Sequence, residues 1–123
     1  MATIVSTSKQ IDKKTRAFTW AAMGNADVGD WIQIPKDPDK VFQVFGTFGG
    51  ATVVLQGTND PNAITTPSSA NPITLTDPLG NNVSFTSAGM KQVLEDPIFV
   101  RPSTSGGSGT SITVILSSRR EFN

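Results

Sequence analysis

The 123-residue sequence predicts an all-β protein, a single-domain antiparallel β-sandwich of jelly-roll type, on three observations. Eleven glycines and eight prolines, with many Ser, Thr and Asn residues, interrupt short apolar runs as turns interrupt strands. The clearest of those runs alternate apolar and polar residues with the period of two that a half-buried strand requires. Hairpin-like and long connections are mixed over roughly eight such strands, which favours two packed sheets. One domain is expected over residues 1–123, with extended arms at 1–15 and 117–123.

Along the chain, residues 16–21 set Phe18 and Trp20 on one face of a strand, although Ala21 and Ala22 blur its end. Residues 31–34 form a short run closed by Pro35, and 35–40, with two prolines and four charges, reads as a loop. Residues 41–58 read as a hairpin about Gly49 and Gly50, because a two-residue turn needs the positive φ that glycine adopts without strain. That pairing sets Phe42, Val44, Gly46 and Phe48 opposite Gly57, Leu55, Val53 and Ala51 on the core face. Its other face pairs Gln43 with Gln56, Thr47 with Thr52 and Phe45 with Val54, the last an apolar island on a polar surface.

Residues 58–71 carry too little apolar surface to pack and are expected to cross the surface as a long loop. A second hairpin is expected from 73–75 and 83–85 around Asp77-Pro78-Leu79-Gly80, with proline where a turn favours it. In 88–94, Met90, Val93 and Leu94 recur at the spacing of a helical turn, but a segment so short, containing Gly89 and closed by Pro97, does not decide between that and other structure. Residues 98–101 form a strand before Pro102, and a Gly-rich turn leads into 111–116, where Ile112, Val114 and Leu116 point inward.

The composition removes most chemistry. Without histidine or cysteine, the commonest general base, the commonest nitrogen ligand and all thiol chemistry are missing. No serine sits in a nucleophile elbow. The local carboxylate pairs, Asp27 with Asp30, Asp37 with Asp39 and Glu95 with Asp96, lie in polar, turn-like segments and read as solvated loop acids. Oxygen-bearing residues 58–62 lack the ordered spacing of a calcium loop, and neither glycine cluster joins a strand to a helix as a nucleotide loop would. No catalytic residue, metal or cofactor is therefore expected. Ten basic residues balance ten acidic ones, so bulk charge does not direct the chain to nucleic acid or an anionic membrane. No apolar run approaches the roughly 18 residues of a spanning helix, and residues 1–8 lack the regions of a secretion signal. Trp20 and Trp31 could stack on sugars, as in a carbohydrate- or receptor-binding module, but tryptophans in alternating strands are more often core. The only basic clusters are Lys13, Lys14 and Arg16 near one end and Arg119 and Arg120 near the other.

The run Val44-Phe45-Gly46-Thr47-Phe48-Gly49-Gly50-Ala51-Thr52-Val53-Val54-Leu55-Gln56-Gly57-Thr58-Asn59-Asp60 resembles a small β-protein encoded in head-gene modules of tailed bacteriophages. Leu75-Thr76-Asp77-Pro78-Leu79-Gly80-Asn81, Val93-Leu94-Glu95-Asp96-Pro97 and Val100-Arg101-Pro102 are similar to the same group, and the likeness spans about 18–116. The long loop 61–71 departs from that pattern, where a shorter link with an aromatic is expected. The resemblance implies a capsid decoration, or cement, protein made in the host cytoplasm and seated on a shell of HK97-type major capsid protein. It would act as a homodimer or homotrimer and bridge capsomers, with no nucleic-acid or membrane partner. Phe45 and Val54 are then the expected partner-facing patch. Lys13, Lys14, Arg16, Arg119 and Arg120 are the expected docking contacts to acidic capsid surface.

Overall fold

Period-two alternation is borne out by two packed sheets. The computed structural model describes residues 2–33 and 39–119, so Arg120, the end of the expected strand 31–34 and most of the expected loop 35–40 lie outside the described residues. Among the described residues twelve strands form, the first six being β1 (Thr3–Ile4), β2 (Thr7–Gln10), β3 (Thr15–Met23), β4 (Val28–Gly29), β5 (Ile32–Gln33) and β6 (Asp39–Thr47). They continue as β7 (Thr52–Thr58), β8 (Ile73–Thr74), β9 (Ser84–Phe85), β10 (Gly89–Val93), β11 (Phe99–Ser105) and β12 (Ser111–Arg119). One sheet, here the long-strand sheet, has the order β10-β6-β12-β3-β2. The other has the order β1-β4-β11-β7-β8, with β5 on β11 and β9 on β7. All pairs are antiparallel except β1 with β4. The all-β sandwich is as expected.

The inward rows are those the alternation assigns. Trp20, Phe42, Val44, Ile112, Val114 and Leu116 from the long-strand sheet meet Val53, Leu55, Val83, Phe85 and Val100 from the other, nearly all without solvent exposure. The Phe42 and Phe85 rings face across the interior at 5.9 Å. The Trp20 indole also crosses the core, donating from Nε1 to Asp30 Oδ1 at 2.8 Å. Gly29 lets this happen, since a Cβ there would stand 2.6 Å from that nitrogen and 2.5 Å from Pro102.

The expected hairpin 41–58 is corrected. The turn exists: Ala51 N donates to Phe48 O at 2.9 Å, with φ of 57° at Gly49 and 89° at Gly50. The strands it joins belong to different sheets, β6 pairing with β10 and β12, and β7 with β8, β9 and β11. The connection is thus an arch between sheets. It lies against the β11–β12 connection, where Ser108 N donates to Gly49 O and Thr110 Oγ1 to Phe48 O. Phe45 therefore does not pair with Val54. Phe45 pairs with Thr113, and Val54 pairs with Ser103 and Ser84, on opposite outer faces of the sandwich.

Other expectations also change. Residues 88–94 are not a helical turn, because Gly89–Val93 pairs along β6 as the edge strand β10. Asp39 and Lys40 start β6 instead of ending a loop. β11 runs through Pro102 to Ser105; on one side its partners are the separate strands β5 and β4, whose pairing breaks between Val100 and Ser103. The second hairpin closes as expected next to its turn, where Gly80 N donates to Asp77 O, Asp77 N to Asn81 O and Val83 N to Leu75 O and Thr76 bridges Asn82; farther from the turn, β8 and β9 dock on β7. The expected arms are largely strand: residues 3–4 and 7–10 are β1 and β2, and 117–119 complete β12. Ala21 and Ala22 together stand opposite Thr113 in a bulge, with φ of 56° at Ala22, which explains the blurred alternation there. The loop after β7 does pack: Ala63 and Ala70 are fully buried with Trp31 and Phe99 in a second cluster. Phe99 and core-facing Val100 are successive residues, so this cluster covers the outer face of the shorter-strand sheet.

Candidate partner-binding surface

The loop 59–71 covers part of one outer face, and among the described residues no segment covers the other. Cross-strand register builds it in rows. Gln92, Val41, Ser117, Ala17 and Lys9 form one row, and Met90, Gln43, Ile115, Thr19 and Thr7 the next. Phe45 beside Thr113 follows. Met90 is 59% and Phe45 39% exposed, whereas Val41 and Ile115 are half-buried in the face. Val41, Gln43, Met90, Ile115 and Ser117 line a shallow groove of about 240 Å³. The centre of the face bears no charge. Its apolar side chains, Val41, Ile115, Met90, Ala17 and Phe45, are set among serine, threonine and glutamine.

Charge collects at one end. Arg119 pairs with Thr15 and Asp39 there, and the β2–β3 turn brings Lys13 and Lys14 alongside. Asp12, Lys13, Lys14, Thr15 and Arg119 line one open depression, so two basic clusters about a hundred residues apart converge. Asp12 shapes the turn by accepting hydrogen bonds from Lys14 N and Thr15 N, each at 2.8 Å. Those backbone donors, that from Lys14 first, hold its carboxyl below the ordinary range, with the Arg119 charge assisting. Arg16 pairs with buried Ser118 and holds its guanidinium 5.2 Å from the Phe18 ring, at the mouth of the sandwich. Val54 is half-buried on the opposite outer face. The structure thus brings Lys13, Lys14 and Arg119 together, puts Arg16 at the same end, and separates Phe45 from Val54.

Met90, Ile115 and Val41 are the face residues the sequence reading missed. Ile115 could have been found, because inward Ile112, Val114 and Leu116 leave it outward. Met90 was hidden by its apparent helical spacing.

The residues weighed for chemistry serve the fold. Trp20 is fully buried; Trp31 is 5% exposed, with the Arg101 guanidinium 4.4 Å over its ring. Neither offers an open indole face to a sugar. Asp27 accepts from Gly24 N, Asp30 from Trp20 Nε1 and Ser6 N, and Glu95 from Thr76 N and Oγ1. Burial alone would raise Glu95, but the Thr76 hydrogen bonds outweigh it and hold the carboxyl low. Asp96 pairs with the buried Lys40. Asp37 lies outside the described residues. Asp60 and Thr58 close local turns, and no cluster of three metal-ligating side chains exists among the described residues.

The fold is similar to that of a prophage-derived protein. YomS of the SPBc2 prophage is 10% identical, with 89% of this chain and 98% of that one covered at a TM-score of 0.61. A cleaved adhesin domain of Lys-gingipain from Porphyromonas gingivalis is 7% identical over 97% of this chain and 85% of that one, at 0.47. KdgF from a Halomonas species is 13% identical over 94% and 78%, at 0.45. At these identities the likeness is one of fold. No family model and no curated protein matches the sequence.

Proposed function

We propose that this chain is a non-catalytic structural protein of a phage particle, which decorates and stabilises the outer surface of the capsid as a homo-oligomer. The observation that carries the reading is the uncovered face of the long-strand sheet, uncharged at its centre, with Phe45 and Met90 exposed and a basic depression at one end. The sequence resemblance to head-module proteins and the prophage origin of YomS support the same class. Buried indoles weigh against the sugar-binding alternative. A homodimer or homotrimer would place several copies of the face on the shell, and the summed contacts would retain the protein even where one contact is weak.

Co-sedimentation with shells of the major capsid protein tests this. Phe45→Ser should keep unfolding stability within about 0.5 kcal/mol, as exposed sites do, and lose shell occupancy. Occupancy of the parent should fall as salt rises, and a Lys13→Ser, Arg119→Ser double variant should lose most of that salt dependence. Full occupancy by Phe45→Ser at every salt concentration would reject the face as the docking surface.

A further inference from the structure

The long-strand sheet ends on one side at β10, and among the described residues only β6 pairs with that strand. Along an antiparallel strand, residues that bond the neighbour through both backbone groups alternate with residues whose N–H and C=O point away. The Leu94 amide fixes the phase here, because it donates to Thr76 O, outside this sheet, at 2.8 Å. Gly89, Lys91 and Val93 therefore bond β6, while Met90 and Gln92 turn their N–H and C=O outward, where no backbone group of the described residues meets them. Such an edge is ordinarily guarded by a charged side chain. The one charge of β10 is turned away from it: Lys91 reaches inward to Asn82 O at 3.1 Å and to the Asp77 carboxylate at 3.4 Å, its ammonium 5.8 Å from the centre of the Phe85 ring. The edge shows solvent Met90, 59% exposed, then Gln92, and just beyond the strand Leu94, 56% exposed. The opposite edge, β2, carries exposed Lys9 and runs into the basic depression, so it would repel a second copy of itself.

We propose that β10 is the contact between two copies of this chain, pairing antiparallel with the second copy's β10 about a two-fold axis and joining the two long-strand sheets edge to edge. The second copy is the occupant because the strand is complementary to itself. A two-fold axis sets one residue opposite its own copy. Centring on Lys91 would oppose two like charges. Centring on Gln92 would call on the Leu94 amide, which Thr76 already holds. Centring on Met90 meets neither obstacle. Met90 then exchanges both backbone hydrogen bonds with the second copy's Met90, and the two exposed thioether chains cover one another. Each Lys91 stands opposite a Gly89, where no side chain contests the space. The uncharged face continues from one copy into the other, so the two would meet a larger surface together. The inference rests on the homo-oligomer part of the reading above and selects a dimer.

The chain has no cysteine, so single cysteine substitutions report the register. Residues of a hydrogen-bonded antiparallel pair stand about 5.5 Å apart between Cα atoms, within disulfide reach, whereas this register holds the two Gln92 residues more than about 13 Å apart. Mild oxidation should therefore give covalent dimer from Met90→Cys and leave Gln92→Cys monomeric. Sedimentation velocity of the parent should show a concentration-dependent dimer. Gln92→Pro removes an outward N–H that the fold does not use and should raise the dissociation constant at least about tenfold. Met90→Lys should do the same by setting like charges at the axis. Its side chain is exposed, so this variant keeps the fold and decides the matter even if Gln92→Pro unfolds. A parent that stays monomeric up to about 1 mM would overturn the proposal, as would an oligomer unchanged by Met90→Lys or equal cross-linking of the two cysteine variants. Co-sedimentation with shells separates this from the capsid reading. A β10 dimer that leaves shells bare rejects that reading and keeps this one, and a monomer that coats shells does the reverse.

Discussion

Phe42 and Phe45 stand three residues apart on β6 and face opposite ways. Phe42 is fully buried against Phe85, whereas Phe45 opens to solvent beside Thr113. Truncation at the first removes packed core, so Phe42→Ala should cost about 3–5 kcal/mol, read from urea unfolding midpoints. A midpoint equal to the parent's would place Phe42 outside the core. Lys40 shares the inward row with Phe42 and is 1% exposed, a burial that Asp96 makes tolerable by pairing with its ammonium. Burial of a charge without such a partner would be prohibitive. Nothing near Lys40 in the sequence signals this, because its partner lies 56 residues away.

At the scale of the element, the turn between β6 and β7 was legible and its consequence was not. Alternation determines which side chains point inward. A hairpin puts Phe42, Val44, Val53 and Leu55 on one face of one sheet, and an arch puts them on facing sheets; both bury the same residues. The hydrogen-bond partner is decided by strands far along the chain, β12 and β11. The same ignorance of partners hid the edge strand β10, since Met90 and Val93, three residues apart, mimic helical spacing while lying on opposite faces of the strand. Of the candidate surface, Phe45 and the basic residues were found one by one. Their true neighbours came only with the register, because Met90 and Ile115 reach the face across β6 and β12. The arch itself is testable at Gly49. Its left-handed φ of 57° and a Cβ position 2.0 Å from Ser108 O leave no room for a side chain. Gly49→Val should therefore cost at least the roughly 1–2 kcal/mol of the left-handed conformation, and more for the clash, in equilibrium unfolding. An unchanged stability would argue for an open, unpacked connection.

For the molecule as a whole, equal numbers of acids and bases conceal carboxylates individually tuned by hydrogen bonds. Asp77 is held low by the Asn81 and Leu79 amides and by Lys91, while Glu95 and Asp12 are held low as well. A carboxyl depressed on folding contributes stability that is present above its unfolded pKa and is lost as pH falls through its folded value. The melting temperature should thus stay level from about pH 7 to about pH 5 and drop below about pH 4. Asp77→Asn should melt lower at neutral pH and show a shallower drop in acid. A melting temperature that rises on acidification would contradict these assignments.

The position of β12 carries a consequence for how the chain reaches its native state. It lies between β6 and β3, so the centre of the long-strand sheet is closed by a strand that leaves the ribosome after the eleven other strands of the described residues. Until then β3 and β6 each present an unpaired edge with nothing beside it, and every pairing that completes the sheet spans most of the chain. Such non-local closure is slow, and exposed edges in the interval invite the same edges of neighbouring nascent chains. Heavy expression should accordingly favour inclusion bodies over soluble protein unless translation is slowed by cold.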